Sequence, residues 1–233
     1  MSVSAMSEFE NEVTGRLARA ANDGELHEAA AGFMRASIPP QYSYNYFWLG
    51  RPIIQYPQDM MAMQELIWQV RPDLIIETGI AHGGSLILNA SMLALIDYCD
   101  AVEAGEVLDP QKPRRRVLGV DIDIRAHNRQ AIEAHPMAGR IDMIQGSSID
   151  PEIVAEVQRR AAGFSRVLVS LDSNHTHDHV LAGIEAYAPL TSTGSYCVVF
   201  DTIVEDLPAA MAGDRPWGPG DNPKTAVGEY LKS

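Results

Sequence analysis

The chain has 233 residues, a formal net charge of −13 and 46% hydrophobic residues, a composition typical of a soluble globular protein. The acidity disfavours nucleic acid and anionic membranes as main partners, because both attract proteins through basic patches. The two cysteines, Cys99 and Cys197, match no metal-ligand spacing, and no signal sequence or apolar run of transmembrane length stands out. We therefore expect a cytoplasmic protein with no nucleic-acid partner and no membrane span.

The first 58 residues predict an extension in front of a main domain at residues 59–233. Residues 8–35 are rich in Ala, Glu, Leu and Arg and predict helix, with a break at residues 22–24. Residues 37–57 hold six aromatic residues among prolines and a glycine, which excludes one regular element. This aromatic segment either lines or covers a pocket, as a substrate lid or oligomer contact, or packs on the core.

Strand and helix patterns alternate along the rest of the chain. Apolar segments rich in β-branched residues predict five strands, at residues 73–79, 116–124, 141–147, 165–173 and 194–202. Helices are predicted around them, at residues 58–71, 84–99, 125–135, 150–162 and 178–190. The charged segment at 98–115 and the adjoining basic run to residue 116 predict a solvated loop. This alternation is typical of an α/β fold, a doubly wound parallel sheet with helices on both faces, whose ligands bind at the carboxyl ends of the strands.

The residues after the first of these strands predict a cofactor turn. Glu77, Gly79 and Gly83 form the pattern E-x-G-x-x-x-G in front of a predicted helix. Glycines let a ligand approach the backbone, and the helix N-terminus offers partial positive charge. The spacing differs from the dinucleotide pattern G-x-G-x-x-G and suits a ligand with an amino-acid end and no phosphate. A turn made only for packing is the alternative.

The next two strand ends extend this interpretation. Asp121 ends the second strand, where a carboxylate can accept both hydroxyl hydrogens of a ribose, although Asp123 competes for the role. Ser147 follows the third strand, where an adenine edge would lie. Three strand ends in this order indicate S-adenosylmethionine, with a nucleotide-sugar or NAD as the remaining alternatives.

The richest chemistry lies in the run D-S-N-H-T-H-D-H, residues 172–179. Asp172 ends a buried strand, where a charge needs a partner. His175, His177 and His179 would form a zinc or iron ligand set on a strand, but the run enters a helix, on which only the first and third share a face. Methyl transfer to a hydroxyl needs alignment and a proton acceptor. We predict that His175 is this base and that Asp172 ligates a metal or orients the imidazole.

Several blocks resemble the cephalosporin hydroxylase family of S-adenosylmethionine-dependent methyltransferases, which includes the cephamycin methoxylation protein and rhamnosyl O-methyltransferases. The resemblance covers roughly residues 44–231. The blocks that carry it are "FWLGRPIIQYPQDMMAMQELIW", "IIETGIAHGGSL", "VLGVDIDIR", "LDSNHTHDHVL" with "YAPLTSTGSY", and "RPWGPGDNPKTAVGEYL". It implies a Rossmann-like methyltransferase fold, S-adenosylmethionine as methyl donor and often a divalent metal such as Mg²⁺ beside the acceptor hydroxyl.

The resemblance also implies roles for individual residues. It assigns to the cofactor turn Glu77, Gly79, Gly83 and Ser85. It assigns Asp121 to the ribose and His175 to the acceptor side. It assigns Asp172 and Asp201 to the metal position.

Two positions depart from the family pattern. Asn174 stands where the family has an acid, and Phe200 stands where it has a glutamate that would ligate the metal. Magnesium typically takes one or two protein carboxylates plus water, so two aspartates can suffice.

The expected function is S-adenosylmethionine-dependent O-methylation of a small-molecule hydroxyl, on a sugar or a glycosylated natural product, by a homo-oligomer. The alternative is a non-catalytic module that binds the cofactor and assists a partner enzyme.

Overall fold

The computed structural model describes residues 3–233, with side chains from residue 7 onward. The chain separates into two units, the first ending at Tyr42 and the second beginning at Ser43. The first unit holds helices α1 (Val3–Ala20) and α2 (Gly24–Ser37). The predicted break between them is confirmed, because the side chain of Asp23 caps α2 by accepting a hydrogen bond from the Leu26 N–H at 3.0 Å.

The aromatic segment contains a β-hairpin that the sequence analysis did not predict. Its strands are β1 (Tyr46–Trp48) and β2 (Arg51–Ile53), paired antiparallel, after a 3₁₀ turn at Tyr42–Asn45. Leu49 and Gly50 form the connecting turn with φ values of 45° and 86°. Positive φ at both positions is the backbone geometry that two-residue hairpins favour, because it matches the twist of the strands. No regular element spans the whole segment, as expected.

The second unit is built around one parallel sheet. Helix α3 (Pro57–Val70) leads into it, and strands and helices then alternate: β3 (Leu74–Thr78), α4 (Gly84–Ala104), β4 (Arg116–Asp121), α5 (Ala126–Glu133), β5 (Ile141–Gln145), α6 (Pro151–Ala161), β6 (Val167–Leu171), α7 (His177–Tyr187), β7 (Cys197–Val199) and α8 (Pro223–Tyr230). The strand order is β5-β4-β3-β6-β7, and every pair in it is parallel. The order reverses between β3 and β6, which is where such sheets bind their ligands.

Apolar side chains project from both faces of the sheet and form two hydrophobic cores. Ile75 of β3 packs in one core with residues of α3, α4 and α5, such as Ile67 and Ile132. Its neighbour Ile76 packs in the other core with residues of α6 and α7, such as Val157. Burial on both faces explains why the strands read as unbroken apolar runs. The predicted doubly wound sheet with helices on both faces is confirmed.

The segment around α4 differs from the sequence analysis in two respects. Helix α4 is long and apolar enough to cross a membrane by length and composition, although 61% of its apolar window is buried inside the protein, as in a core helix. The basic run that follows is not only a solvated loop. Arg115 is buried and pairs with Asp97, which also pairs with Arg140 at 2.6 Å. The sequence pattern does not reveal this network, because its three residues are far apart in the chain.

Candidate functional site

The carboxyl ends of β3, β4 and β6 and the loop that follows β5 meet at one cavity of about 520 Å³, a volume typical of small-molecule sites. Most of the residues predicted for the site line it: Gly79, Ser85, Asp121, Ser147, Asp172, His175 and Asp201. Two predicted residues, Glu77 and Gly83, do not line it. The cavity therefore joins the predicted cofactor end of the site to the predicted acceptor end.

The turn after β3 needs its glycines for both backbone shape and packing. Gly79 has φ of 91°, and a Cβ there would lie 1.8 Å from the carbonyl oxygen of Asp172. Gly83 caps α4 with φ of 84°, and a Cβ there would lie 2.5 Å from the side chain of Ile132. Gly84 and Ser85, the first residues of α4, line the cavity. The N-terminus of this helix is thus available to a ligand, as the sequence predicts.

Glu77 lies beneath the turn and faces α4. Its side chain is buried and accepts hydrogen bonds from the Ser85 hydroxyl and from Asn89 Nδ2, the latter at 2.7 Å. Burial raises the pKa of Glu77 to about 7, although both hydrogen bonds oppose the shift and the charge of Asp121 adds to it. Glu77 therefore contacts the lining of the cavity through Ser85.

Asp121 connects the end of β4 to the turn. Its Oδ2 accepts hydrogen bonds from the backbone N–H of Ile80 at 2.7 Å and of Ala81 at 3.2 Å, and its Oδ1 accepts one from the N–H of Asp123 at 3.0 Å. A carboxylate offers about four acceptor positions, so capacity remains for a hydroxyl group in the cavity. Asp123 is exposed, does not line the cavity and faces Arg125 at 4.0 Å. Of the two candidates for a ribose, the geometry favours Asp121.

The three alternating histidines do not converge. His175 lies in the loop before α7, with Nε2 at 3.0 Å from Asp201 Oδ2. His177 turns to α8, where it contacts Thr225 at 2.8 Å and Glu229 at 3.2 Å. His179 contacts the hydroxyl groups of two cavity serines, one after β5 and one after β6, at 3.1 and 3.2 Å. A three-histidine metal site is therefore not formed.

A mixed cluster of two carboxylates and one imidazole lies at the acceptor end. Ligand atoms of Asp172, His175 and Asp201 all lie within 4.8 Å of one another. Burial raises the pKa of Asp172 well above its usual range, and the charges of Asp201 and Glu77 add to this. Burial lowers the pKa of His175, against the opposing effect of Asp201. Because its negative charges repel one another and its ligand atoms are oxygen and nitrogen, the cluster fits a divalent cation.

The question at Asp201 is which nearby residues can supply ligand atoms for a cation, given that Asn174 and Phe200 depart from the family pattern. Asp201 has φ of 55°, and its side chain makes no capping bond to the 3₁₀ turn that follows, so a capping role does not account for it. Phe200 packs against the apolar core and supplies no ligand atom. Asn174 Oδ1 accepts hydrogen bonds from the N–H and hydroxyl of Thr176, both at 2.9 Å. Cation binding would therefore depend on the two aspartates, with the His175 imidazole beside them.

The sequence analysis did not place Gln55 or Asp59 in the site, and it did not pair Trp217 with His175. Gln55, which follows β2, is buried, lines the cavity and donates a side-chain hydrogen bond to Asp172. Asp59, in the first turn of α3, has a pKa raised by burial and by the charge of Asp201. Trp217 meets the His175 ring edge-on, with centroids 4.9 Å apart.

A family model and a curated relative match this chain. Residues 40–233 match the family model described as Rhamnosyl O-methyltransferase/CmcI. A rhamnosyl O-methyltransferase of Mycobacterium bovis (strain BCG / Pasteur 1173P2) is 31% identical over 176 residues, which are 74% of this chain and 60% of that relative. The chain thus spans about three fifths of the length of this curated relative.

Two solved structures share the fold at a TM-score of 0.50. CalS11, a TDP-rhamnose 3′-O-methyltransferase of calicheamicin biosynthesis, is 19% identical, with 95% of this chain and 85% of that chain covered. MycE, a methyltransferase of the mycinamycin pathway solved with Mg and SAH, is 18% identical, with 85% of this chain and 44% of that chain covered. These similarities confirm the Rossmann-like methyltransferase fold. With most of its length matched by the family model, the chain belongs to the rhamnosyl O-methyltransferase/CmcI family.

Proposed function

We propose that the chain is an S-adenosylmethionine-dependent O-methyltransferase that acts on a hydroxyl group of a sugar or a glycosylated natural product. The observation that carries the proposal is the single cavity that connects Asp121 and the glycine turn to Asp172 and His175. Family membership supports the reaction. The rhamnosyl acceptor in the name of the mycobacterial relative and the TDP-rhamnose in that of CalS11 support a sugar as acceptor.

The cofactor end of the cavity fits S-adenosylmethionine. The Asp121 carboxylate would hold the ribose, and Ser147 would meet the adenine. Gly79 and Ser85, with the N-terminus of α4, would hold the amino-acid end, because both residues line the cavity beside that N-terminus. The sulfonium of the bound cofactor supplies an activated methyl group.

The acceptor end supplies a proton acceptor beside a stabilising charge. Burial lowers the pKa of the His175 imidazole and so favours its neutral form, which would accept the hydroxyl proton. Asp201, 3.0 Å from Nε2, would stabilise the imidazolium that forms. Asp172 and Asp201 would hold a divalent cation such as Mg²⁺, which supplies a Lewis acid for the hydroxyl group.

One observation favours a second candidate function. Phe200 presents an apolar ring where the family pattern has a glutamate, and the ring packs on the core. A chain that had lost metal-assisted catalysis but kept its cofactor site would act as a binding module that assists a partner enzyme.

The assembly and location of the chain are part of the same proposal. Leu95, Tyr98 and Val102 are exposed apolar side chains on one face of α4, and β7 is a three-residue strand at the edge of the sheet. A homo-oligomer would bury both surfaces. Residues 1–58 are proposed as the extension that makes oligomer or substrate contacts. Both cysteines are free thiols, which agrees with a cytoplasmic location.

Calorimetry followed by a turnover assay tests the proposal. The full chain is titrated with S-adenosylhomocysteine, with and without Mg²⁺, and then incubated with S-adenosylmethionine and rhamnose-containing acceptors. Binding with methyl transfer supports the enzyme. Binding without transfer to any acceptor supports the module, and the absence of binding overturns both.

A further inference from the structure

The cofactor turn contains a non-glycine residue in an unfavourable conformation. Gly79, Ala81 and Gly83 alternate at φ of 91°, 45° and 84°. Glycine adopts such values freely, but an alanine in the left-handed region raises the free energy of the fold, and it stays there only where its surroundings hold it. Asp121 holds the N–H of Ala81. The carbonyl side of the turn needs a separate restraint.

Arg51 of the hairpin and Asn128 of α5 provide that restraint. Arg51 Nε donates a hydrogen bond to the His82 carbonyl oxygen at 3.0 Å, and its Nη2 donates to the same oxygen. Nη2 also donates to Asn128 Oδ1 at 3.2 Å, and Asn128 Nδ2 donates to the Ala81 carbonyl oxygen at 2.9 Å. Ala81 and His82 both line the cavity, so these bonds fix the backbone that a ligand would touch.

The hairpin that carries Arg51 is itself fixed to the sheet domain. Trp48 Nε1 donates a hydrogen bond to Ser91 Oγ of α4 at 2.9 Å. A Cβ on Gly84 would lie 2.2 Å from the Pro52 carbonyl oxygen, so the hairpin backbone presses against the start of α4. These contacts hold the hairpin backbone that carries Arg51 independently of the hydrogen bonds of its guanidinium.

We propose that Arg51, together with Asn128, is a positioning residue that holds the turn at residues 79–84 in its ligand-binding shape. The aromatic hairpin is then a part of the cofactor site. The identity of the ligand as S-adenosylmethionine rests on the proposed function, whereas the restraint on the turn does not. Arginine suits the role because its planar fork reaches one carbonyl with two N–H groups and still reaches the asparagine. A lysine ammonium at this position would keep the charge but lose the fork.

The experiment compares Arg51→Met and Arg51→Lys with a matched control, Arg129→Met, in the full chain. Arg129 lies beside Asn128 on α5, but its guanidinium faces Glu133 at 3.6 Å and not the turn. Amide hydrogen exchange of residues 79–84 reports the turn without any ligand. Calorimetry with S-adenosylhomocysteine reports its binding competence, and thermal unfolding reports the whole domain.

We expect Arg51→Met to speed amide hydrogen exchange at residues 79–84. We also expect it to weaken S-adenosylhomocysteine binding by about tenfold or more, the size of effect that follows the loss of outer-shell hydrogen bonds in metal sites. Arg51→Lys should lie between Arg51→Met and the wild type, and Arg129→Met should match the wild type. If Arg51→Met fails to fold, Asn128→Asp replaces it: this variant keeps the acceptor for Arg51, removes the donor to Ala81, and should show the same two effects.

Unchanged exchange at the turn and unchanged affinity in the Arg51 variants would overturn the proposal. Faster exchange in a chain whose wild type does not bind S-adenosylhomocysteine would leave the restraint standing and overturn the proposed function. The two failures are therefore distinguishable.

Discussion

The carboxylate of Asp121 accepts a hydrogen bond from the backbone N–H of Ile80 at 2.7 Å. This bond connects the end of β4 to the turn that follows β3. Because the same carboxylate lines the cavity, the shape of the turn and the recognition of a ribose would depend on one side chain.

Replacing Asp121 with asparagine tests that dependence. The asparagine amide is uncharged and has an NH₂ donor in place of one of the two carboxylate oxygens, so it loses the acceptor either on the side of the Ile80 N–H or on the other side. We expect the dissociation constant for S-adenosylhomocysteine to rise about tenfold to a hundredfold, since a hydrogen bond to a charged group contributes about 1.5–3 kcal/mol. Calorimetry measures the change. Asp123→Asn is the control and should bind like the wild type; equal loss in both variants would contradict the assignment.

Gly79 and Gly50 form a natural pair for separating backbone strain from steric clash. Both have positive φ, 91° and 86°, but a Cβ at Gly79 would lie 1.8 Å from the Asp172 carbonyl oxygen, whereas a Cβ at Gly50 meets no atom within 4 Å. Gly50→Ala should lower the free energy of unfolding by about 1–2 kcal/mol through strain alone. Gly79→Ala should lower it further. Urea unfolding of both variants measures the difference, and equal losses would mean that the approach of Asp172 does not constrain the turn.

Substitution of His175 tests the proposed base, and the same substitution of His177, a histidine outside the cavity, is its control. We expect His175→Gln to reduce kcat by about 10²–10⁴-fold, the usual contribution of a general base. Affinity for S-adenosylhomocysteine should not change, because the imidazole lies at the acceptor end. His177→Gln alters a side chain bound to Thr225 and Glu229 outside the cavity, and it should keep most of its turnover. Full activity in His175→Gln would contradict the assignment of His175 as the general base.

The sequence predicted the residues at the strand ends because parallel strands bring their carboxyl ends to one edge of the sheet. That rule alone brings Asp121, Ser147 and Asp172 together. It says nothing of Gln55, which reaches Asp172 from the segment after the hairpin, because no periodicity relates the two positions. The Leu49–Gly50 turn lacks the usual Asn-Gly signal, so the hairpin was missed.

The direction of the Glu77 side chain also escaped prediction. A strand pattern says which positions share a face, but the partners of Glu77 lie on α4, at Ser85 and Asn89. Their position depends on how closely that helix packs against the turn.

The burial of Glu77 predicts a specific pH dependence. Its pKa is raised to about 7 in the folded protein, above the ordinary value of 4.5, so the folded state binds a proton that the unfolded state has released. Stability should therefore fall as pH rises from about 4.5 to about 7, by roughly 3 kcal/mol from this group. Urea unfolding across this range, for the wild type and Glu77→Gln, measures the effect. The difference between the two proteins should change with pH, and parallel profiles would mean that Glu77 does not titrate as described.

The central claim is that the cavity holds S-adenosylmethionine with its ribose on Asp121 and its sulfur toward the cluster of Asp172 and His175. A crystal structure of the chain with S-adenosylhomocysteine tests it most directly. We expect a ribose hydroxyl oxygen at about 2.5–2.7 Å from an Asp121 carboxylate oxygen, as for a charge-assisted hydrogen bond, and a sulfur that faces His175. A ligand bound elsewhere, or a ribose that leaves the Asp121 carboxylate without contact, would contradict it.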